Sequence, residues 1–127
     1  MKPATHQQRV EYARAVAAVT QVLRVSVDDL YSRSRTATTA RARAIVAFLL
    51  VRGHGWTMQR VGLHLCRHHT SIISSCNRVE WMLRRDARFR ALVFDIILRL
   101  QQHSKERQHG VRKALDPITE QVQRPAT

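Results

Sequence analysis

Glycine, proline and cysteine are scarce in this chain of 127 residues. Its four glycines and three prolines leave few breaks, and Ala, Val, Leu and Arg dominate, which favours helix over sheet. The two cysteines, Cys66 and Cys76, make no disulfide framework and fit a reducing compartment. From the length and the 44% hydrophobic content we expect one domain with a modest core.

Long apolar runs are also missing. The longest are AIVAFLLV and ALVFDIIL, which are far too short to cross a bilayer. The N-terminal stretch MKPATHQQRVEYARAV lacks the apolar segment of a signal peptide. We therefore expect a soluble, intracellular protein that does not enter a membrane.

Acidic residues are few compared with basic ones. Lys and Arg number 22, Asp and Glu number 9, and the formal net charge is +13. Nineteen of the basic residues are Arg, whose planar guanidinium suits bidentate contacts with phosphate and guanine. The charge predicts a polyanionic partner, and the alternative is a compositional bias that placed Arg on an ordinary surface.

Apolar residues recur at spacings of three and four along most of the chain, which predicts an all-α bundle of five to six helices and no convincing strand. The predicted helices span about 7–24, 27–32, 38–52, 58–65, 69–84 and the stretch after Asp86. The predicted caps are Ser26 with Asp29, Thr38 or Thr39, Thr57 and Asp86, with the glycines of GHG (53–55) ending the third helix. We assign 7–102 to the folded domain and 103–127 to a polar, partly disordered tail.

The stretch CRHHTSII, residues 66–73, joins the short fourth helix to the fifth. The fifth helix opens with polar residues and then carries an apolar stripe of Ile72, Cys76, Val79 and Leu83. A short helix, a tight connection and a helix with a polar N-terminus are typical of a helix-turn-helix, whose second helix reaches base edges in the major groove. The macrodipole and the free N–H groups at that terminus also favour phosphate.

Residues 10–100 resemble the C-terminal DNA-binding domain of the bacterial replication initiator DnaA. The resemblance rests on two motifs in the family's order, DDLYSRSRTATTARARAIVAFLL and MQRVGLHLCRHHTSIISSCNRVEWM, the second with Gly62 in the first helix of the pair. It implies a Trp-repressor-like helix-turn-helix that binds double-stranded DNA sequence-selectively and regulates or assists replication initiation at origin-type boxes. A cytoplasmic, nucleoid-associated location goes with that role.

The resemblance also implies which residues contact DNA. Arg33 and Arg35 of a basic loop would contact the minor groove and the backbone, and Arg41 and Arg43 would bind phosphates. The major-groove end of the fifth helix would consist of Arg67, His68, His69, Thr70 and Ser71. The alternative for each arginine is a solvated surface residue, and for His69 and Thr70 a helix N-cap without a ligand.

The sequence departs from the family at three points. The family's RDHTTV becomes RHHTSI, so that His68 stands where the family has aspartate. Ala44 stands where the family often has glutamine, and the connection before Arg67 is a residue shorter. Because a carboxylate accepts from cytosine whereas histidine can donate to guanine, we expect the recognised box to differ.

Other chemistry is less favoured. A zinc site would draw on His64, Cys66, His68, His69 and Cys76, but their spacing matches no common zinc motif. A catalytic pair of Cys66 and a histidine would lack an orienting carboxylate. The sequence has no G-x-x-x-x-G-K-[ST] phosphate loop. We therefore expect no enzyme activity, no cofactor, no metal and no bound nucleotide.

Two functional alternatives remain open beside sequence-selective replication control. One is a transcription regulator with the same fold, and the other is a nonspecific basic nucleic-acid-binding protein. An adaptor that docks a protein partner through its last helix or its tail is a third class. For Trp56, Trp81 and Met82 we expect packing roles, whereas the basic run of Arg84, Arg85, Arg88 and Arg90 fits either a solvated face or backbone contacts.

Overall fold

The computed structural model describes residues 2–33 and 36–103. These residues form six α-helices, and the described part contains no strand, so the predicted all-α fold is confirmed. The helices are α1 (His6–Leu23), α2 (Val27–Tyr31), α3 (Ala37–Phe48), α4 (Met58–Leu65), α5 (His69–Arg85) and α6 (Ala87–His103), with a π-helical turn, Leu49–Gly53, after α3. Apart from His103, the predicted tail lies outside the described residues.

Side-chain caps fix where most of the helices begin. Thr5 and Gln8 form a reciprocal capping box at α1, with Thr5 Oγ1 accepting from the Gln8 N–H at 3.1 Å. The predicted caps Ser26, Thr57 and Asp86 are confirmed, since each side chain accepts a backbone N–H from the first turn of its helix. Local polar patterns therefore set these boundaries.

The start of α3 differs from the prediction. Thr36, rather than Thr38 or Thr39, is the N-cap, and its Oγ1 accepts from the Thr39 N–H at 3.3 Å. Thr39 itself is buried inside α3, where its hydroxyl accepts a hydrogen bond from Thr36. α3 begins earlier than predicted because Thr36, the first threonine of the segment, already accepts a hydrogen bond from a backbone N–H of the first turn.

The glycines after α3 have different roles. Gly53 ends the π-helical turn, and only Gly55 adopts the left-handed conformation, with φ +73°. The Trp56 N–H then donates to the Leu50 carbonyl at 3.0 Å, which turns the chain back towards the bundle. The predicted glycine stop is confirmed at Gly55, where a residue with a Cβ would be strained.

The core lies around α3, which packs against α1, α2 and α5. Ile45, Leu49 and Leu50 are fully buried there, and each such side chain contributes about 1.5–3 kcal/mol when it leaves water. The α5 stripe meets this centre through its buried members Ile72, Cys76 and Val79. Burial raises the pKa of the Cys76 thiol to about 11, so that this residue behaves as a small hydrophobe.

The last helix covers the opposite side of the bundle. α6 packs against α1 and α5 and buries its apolar stripe of Phe89, Val93, Ile96, Ile97 and Leu100. Among the described helices, none is both long and apolar enough to cross a bilayer. The packing of α5 against α3, α4 and α6 leaves the N-terminal tip of α5 at the surface.

Candidate nucleic-acid interface

The connection between α4 and α5 is a tight turn of three residues, 66–68. Cys66 ends α4 in the left-handed conformation, with φ 56°, and its N–H donates to the Gly62 carbonyl. The Arg67 N–H donates to the same carbonyl at 2.9 Å. The predicted helix pair is therefore confirmed, with α4 at its predicted bounds and α5 one residue longer.

Gly62 makes the close approach of the two helices possible. A Cβ at this position would lie 2.6 Å from the Arg67 carbonyl oxygen, which is backbone and cannot give way. Val61 and Leu65 of α4 are fully buried and belong to the same core as Ile72 of α5. The turn is therefore held by glycine on one side and by apolar packing on the other.

The N-cap of α5 is His68. Its Nδ1 accepts from the Thr70 N–H at 3.3 Å and lies 2.8 Å from Thr70 Oγ1. The His68 carbonyl accepts from the N–H groups of Ser71 and Ile72. An accepting Nδ1 requires the tautomer that carries its proton on Nε2. That N–H is then left to donate to an acceptor outside the helix.

The residues that follow form an exposed polar tip. Thr70 and Ser71 are exposed, and His69 is half-buried with its ring 4.3 Å from that of His68. Hydroxyls, imidazole N–H groups and the positive end of the macrodipole all meet at this tip. Such a surface can hydrogen-bond base edges or phosphates.

Two of the predicted arginines converge on one carbonyl group. Arg67 Nη2 donates to the Ser32 carbonyl at 2.7 Å, and Arg43 Nη1 donates to the same oxygen at 3.3 Å. Arg43 also donates to the carbonyls of Asp29 and Leu30. The two side chains thus tie the C-terminal end of α2 to α3 and to the turn before α5, and they hold the start of the basic loop beside the tip of α5.

The electrostatics of this pair favour an anion. Burial, followed by the nearby charge of Arg67, lowers the pKa of the Arg43 guanidinium. The two guanidinium groups carry like charges and repel each other. A guanidinium carries about five N–H donors in a planar fork, a geometry that suits bidentate contact with a phosphate.

A groove of about 360 Å³ between α3 and α5 continues from this pair. Its polar lining combines Arg43, Arg67 and Ser71, which the sequence predicted, with Ser74, Ser75 and Arg78, which it did not. Its apolar lining includes Ala44, which is buried and faces the groove where the family often has glutamine. The spacing of Ser71, Ser75 and Arg78 along α5 follows one helix face and was the available signal for the missed residues.

The remaining predicted arginines lie elsewhere. Arg33 is exposed and directly follows Ser32, whereas Arg35 lies outside the described residues. The guanidinium of Arg41 lies 5.9 Å from the centre of the Phe89 ring, towards α6. Because positions 41 and 43 point about 200° apart around a helix, Arg41 does not line the groove that holds Arg43.

The residues weighed for a metal site are not brought together. In the part of the chain that the structure describes, no group of three or more His, Cys, Asp or Glu side chains is placed to hold a metal ion. His64 packs with Tyr12 and Trp56, its ring centre 4.9 Å from each of theirs. Cys66 is exposed and Cys76 is buried.

Comparison with known proteins identifies the helix pair. The family described as bacterial DnaA protein helix-turn-helix matches residues 6–79, from the start of α1 into α5. The chain is also 29% identical over 100 residues to the chromosomal replication initiator protein DnaA of Picosynechococcus sp. (strain ATCC 27264 / PCC 7002 / PR-6). The alignment covers 74% of this chain and 22% of the relative, so the chain spans about a fifth of that protein's length. The chain belongs to the bacterial DnaA helix-turn-helix family of DNA-binding domains.

Proposed function

We propose that this chain binds double-stranded DNA sequence-selectively and so assists or regulates replication initiation at origin-type boxes. The observation that carries the proposal is the exposed polar tip of α5, where Thr70 and Ser71 follow a turn that Gly62 holds tight. A rigid helix pair positions such a tip for the major groove. The match of the family to residues 6–79 supports the same assignment.

In the proposed complex, the tip of α5 reads base edges. His69 and Thr70 donate to or accept from bases, and the threonine methyl can contact a thymine methyl. His68 contributes its Nε2 N–H, because its Nδ1 is used at the cap. This donor replaces the acceptor that the family's aspartate provides, so the preferred box should carry guanine where an aspartate would prefer cytosine.

The arginines position the protein on the backbone. Arg43 and Arg67 bind a phosphate at the mouth of the groove between α3 and α5, which offsets their mutual repulsion. Arg33 and Arg35 extend the contact into the minor groove and the adjacent backbone. Arg41, on the other side of α3, contacts more distant backbone. The proposed role involves no catalysis.

Selection of bound sequences from a random duplex pool tests the proposal. We expect one box, bound by the full chain about 10³-fold or more tightly than random DNA at physiological salt. Thr70→Ala or His69→Ala should reduce this preference, with each lost base contact worth about 1–3 kcal/mol. Arg33→Ala should weaken binding to all duplexes about equally.

Arg99→Ala is the matched control, because Arg99 is an exposed arginine of α6 that pairs with Asp95 at 3.6 Å, away from the tip. Equal affinity for all duplexes would contradict sequence-selective binding. The replication role is tested separately by precipitating the chain with its bound DNA from the source cells. Enrichment of origin DNA supports the role, whereas enrichment at promoters alone favours a transcription regulator.

A further inference from the structure

The C-terminal half of α5 presents a second polar face that the proposed duplex contact does not use. Asn77, Trp81, Arg84 and Arg85 are all exposed, and their spacing of three and four places them on one side of the helix. Trp81 departs from the expected packing role, since 52% of its surface is exposed. Trp56, in contrast, is buried and donates its indole N–H to Glu11 at 2.9 Å.

A cationic side chain lies over the ring of the exposed tryptophan. The guanidinium of Arg85 lies 4.9 Å from the centre of the Trp81 ring, a cation–π distance. Half of the residue remains open to solvent, so the ring still offers an apolar surface to a ligand.

The face is positively charged and has no acidic residue of its own. The neighbouring carboxylate of Glu80 is paired with Arg52 at 2.5 Å. That of Asp86 caps α6 by accepting from the N–H groups of Arg88 and Phe89. Arg84 and Arg85 therefore present their charge to solvent, and a polyanion complements them.

The distance from the tip of α5 separates this face from the proposed duplex site. Trp81 lies about 18 Å beyond His69 along the helix axis, at about 1.5 Å of rise per residue. Trp81 also lies about one turn beyond Arg78, the last groove residue of α5, so none of the residues assigned to the duplex belongs to this face. The bases of a duplex also cover one another's faces and expose only their edges.

We propose that this face binds single-stranded DNA, with an unpaired base stacked on Trp81 and with Arg84 and Arg85 on the adjacent phosphates. An aromatic side chain flanked by arginines is the combination that binds single strands without sequence preference, because every base has a π-face. An acidic peptide would match the charge but supplies no base to stack on the indole ring.

Tryptophan fluorescence of the full chain tests this site. The chain has two tryptophans, and only Trp81 is exposed, so bound oligothymidylate should quench its emission and leave that of Trp56. Trp81→Leu should weaken binding of the oligonucleotide about ten-fold, and Trp81→Phe should keep the affinity within about three-fold. Because Trp81 lies outside the core, both variants should retain the circular dichroism spectrum of the parent.

A matched abasic oligonucleotide separates stacking from charge attraction, since it has the same phosphates and no bases. We expect the parent chain to bind the abasic strand about ten-fold more weakly, and Trp81→Leu to bind both strands equally. Arg84→Gln should weaken the binding of both strands by the same factor. Equal binding of both strands by the parent would overturn the proposal, and so would quenching by oligoglutamate, which would assign the face to an acidic peptide.

The duplex site is independent of this one. Trp81→Leu should leave the affinity for the selected duplex box unchanged, whereas Thr70→Ala should leave oligothymidylate binding unchanged. Loss of duplex selectivity with intact binding of the single strand would therefore contradict the proposed function alone. Loss of single-strand binding with intact duplex selectivity would contradict the single-strand site alone.

Discussion

His68 occupies a helix position at which aspartate, asparagine and serine are the best acceptors. Its imidazole accepts through a single lone pair on Nδ1, and protonation of the ring removes that lone pair. A protonated ring would also place a positive charge at the positive end of the α5 dipole. The family's aspartate has neither weakness. Compared with an aspartate, His68 is therefore a weaker N-cap, but it adds a hydrogen-bond donor at the tip of α5.

The substitution His68→Asp tests this difference in N-cap strength. We expect the free energy of unfolding at neutral pH to rise by about 1 kcal/mol, since a carboxylate is a stronger cap and interacts favourably with the dipole. Urea denaturation followed by circular dichroism measures the change. His69→Asp, one residue further on and not at the cap, should give a smaller gain, and equal gains for both would show that His68 is not the effective cap.

The pattern of residues allowed the polar tip to be predicted but not the role of each side chain. The cap fell on His68 because its backbone is extended, with φ −69° and ψ 148°, and sequence alone does not distinguish it from its neighbours. Arg43 and Arg67 were predicted to contact DNA, but the sequence did not reveal that both donate to the carbonyl of Ser32. That contact depends on how α2, α3 and α5 meet in space, which no local pattern contains.

At the scale of elements, α1 is joined to the connection before α4 through the carboxylate of Glu11. Its Oε1 accepts from the Trp56 indole N–H at 2.9 Å, and its Oε2 accepts from Gln7 at 3.1 Å. His54 Nδ1, on a side chain that is 3% exposed, lies 3.3 Å from the same Oε2. Burial alone would raise the pKa of Glu11, but the contacts with His54, Trp56 and Gln7 outweigh burial and lower it.

Because the pKa of Glu11 is lowered, the contact between α1 and the connection before α4 is sensitive to acid. The ionised Glu11 stabilises the fold above the pKa of about 4.3 that glutamate has in the unfolded chain, and this contribution is lost as the pH falls through the lower folded pKa. Glu11→Gln should therefore destabilise the protein at neutral pH, with the difference from the parent shrinking in acid. Urea denaturation at a series of pH values measures it.

Glu80→Gln is the control for that experiment, because Glu80 forms a partly exposed ion pair with Arg52, whose contribution is at most about 1 kcal/mol. A difference between Glu11→Gln and the parent that stays constant from neutral to acid pH would show that the carboxylate charge does not stabilise the contact between α1 and the connection before α4.

The helices themselves were largely predictable, because each carries an apolar stripe and most have a cap in the adjacent sequence. The bounds of α4 and the cap of α6 follow from the sequence pattern alone. The π-helical turn Leu49–Gly53 was not foreseen, since its residues continue the apolar pattern of α3 without a local signal. The groove between α3 and α5 was missed for a related reason: it exists only once two helices far apart in sequence pack together.

At the scale of the whole molecule, the net charge of +13 leaves some surfaces more positive than others, because the few carboxylates lie only in certain places. Several carboxylates are engaged within the fold, as Glu11 is with Trp56 and Glu80 is with Arg52. The groove between α3 and α5 gathers Arg43, Arg67 and Arg78 and is lined by no acidic residue. A field of this kind attracts a polyanion towards the groove between α3 and α5.

The dependence of duplex binding on salt measures how many of these charges are used. The logarithm of the affinity should fall linearly with the logarithm of the salt concentration, by about 0.9 for each phosphate that the protein neutralises. Because Arg78 lines the groove, Arg78→Ala should reduce that slope by about one and weaken the selected box and random duplex equally. Thr70→Ala should leave the slope unchanged, since a base contact releases no counterion, and Arg99→Ala should change neither slope nor preference. If Arg78→Ala leaves the slope of the parent intact, the groove holds no phosphate, and the backbone contacts must come from the basic loop and from Arg41.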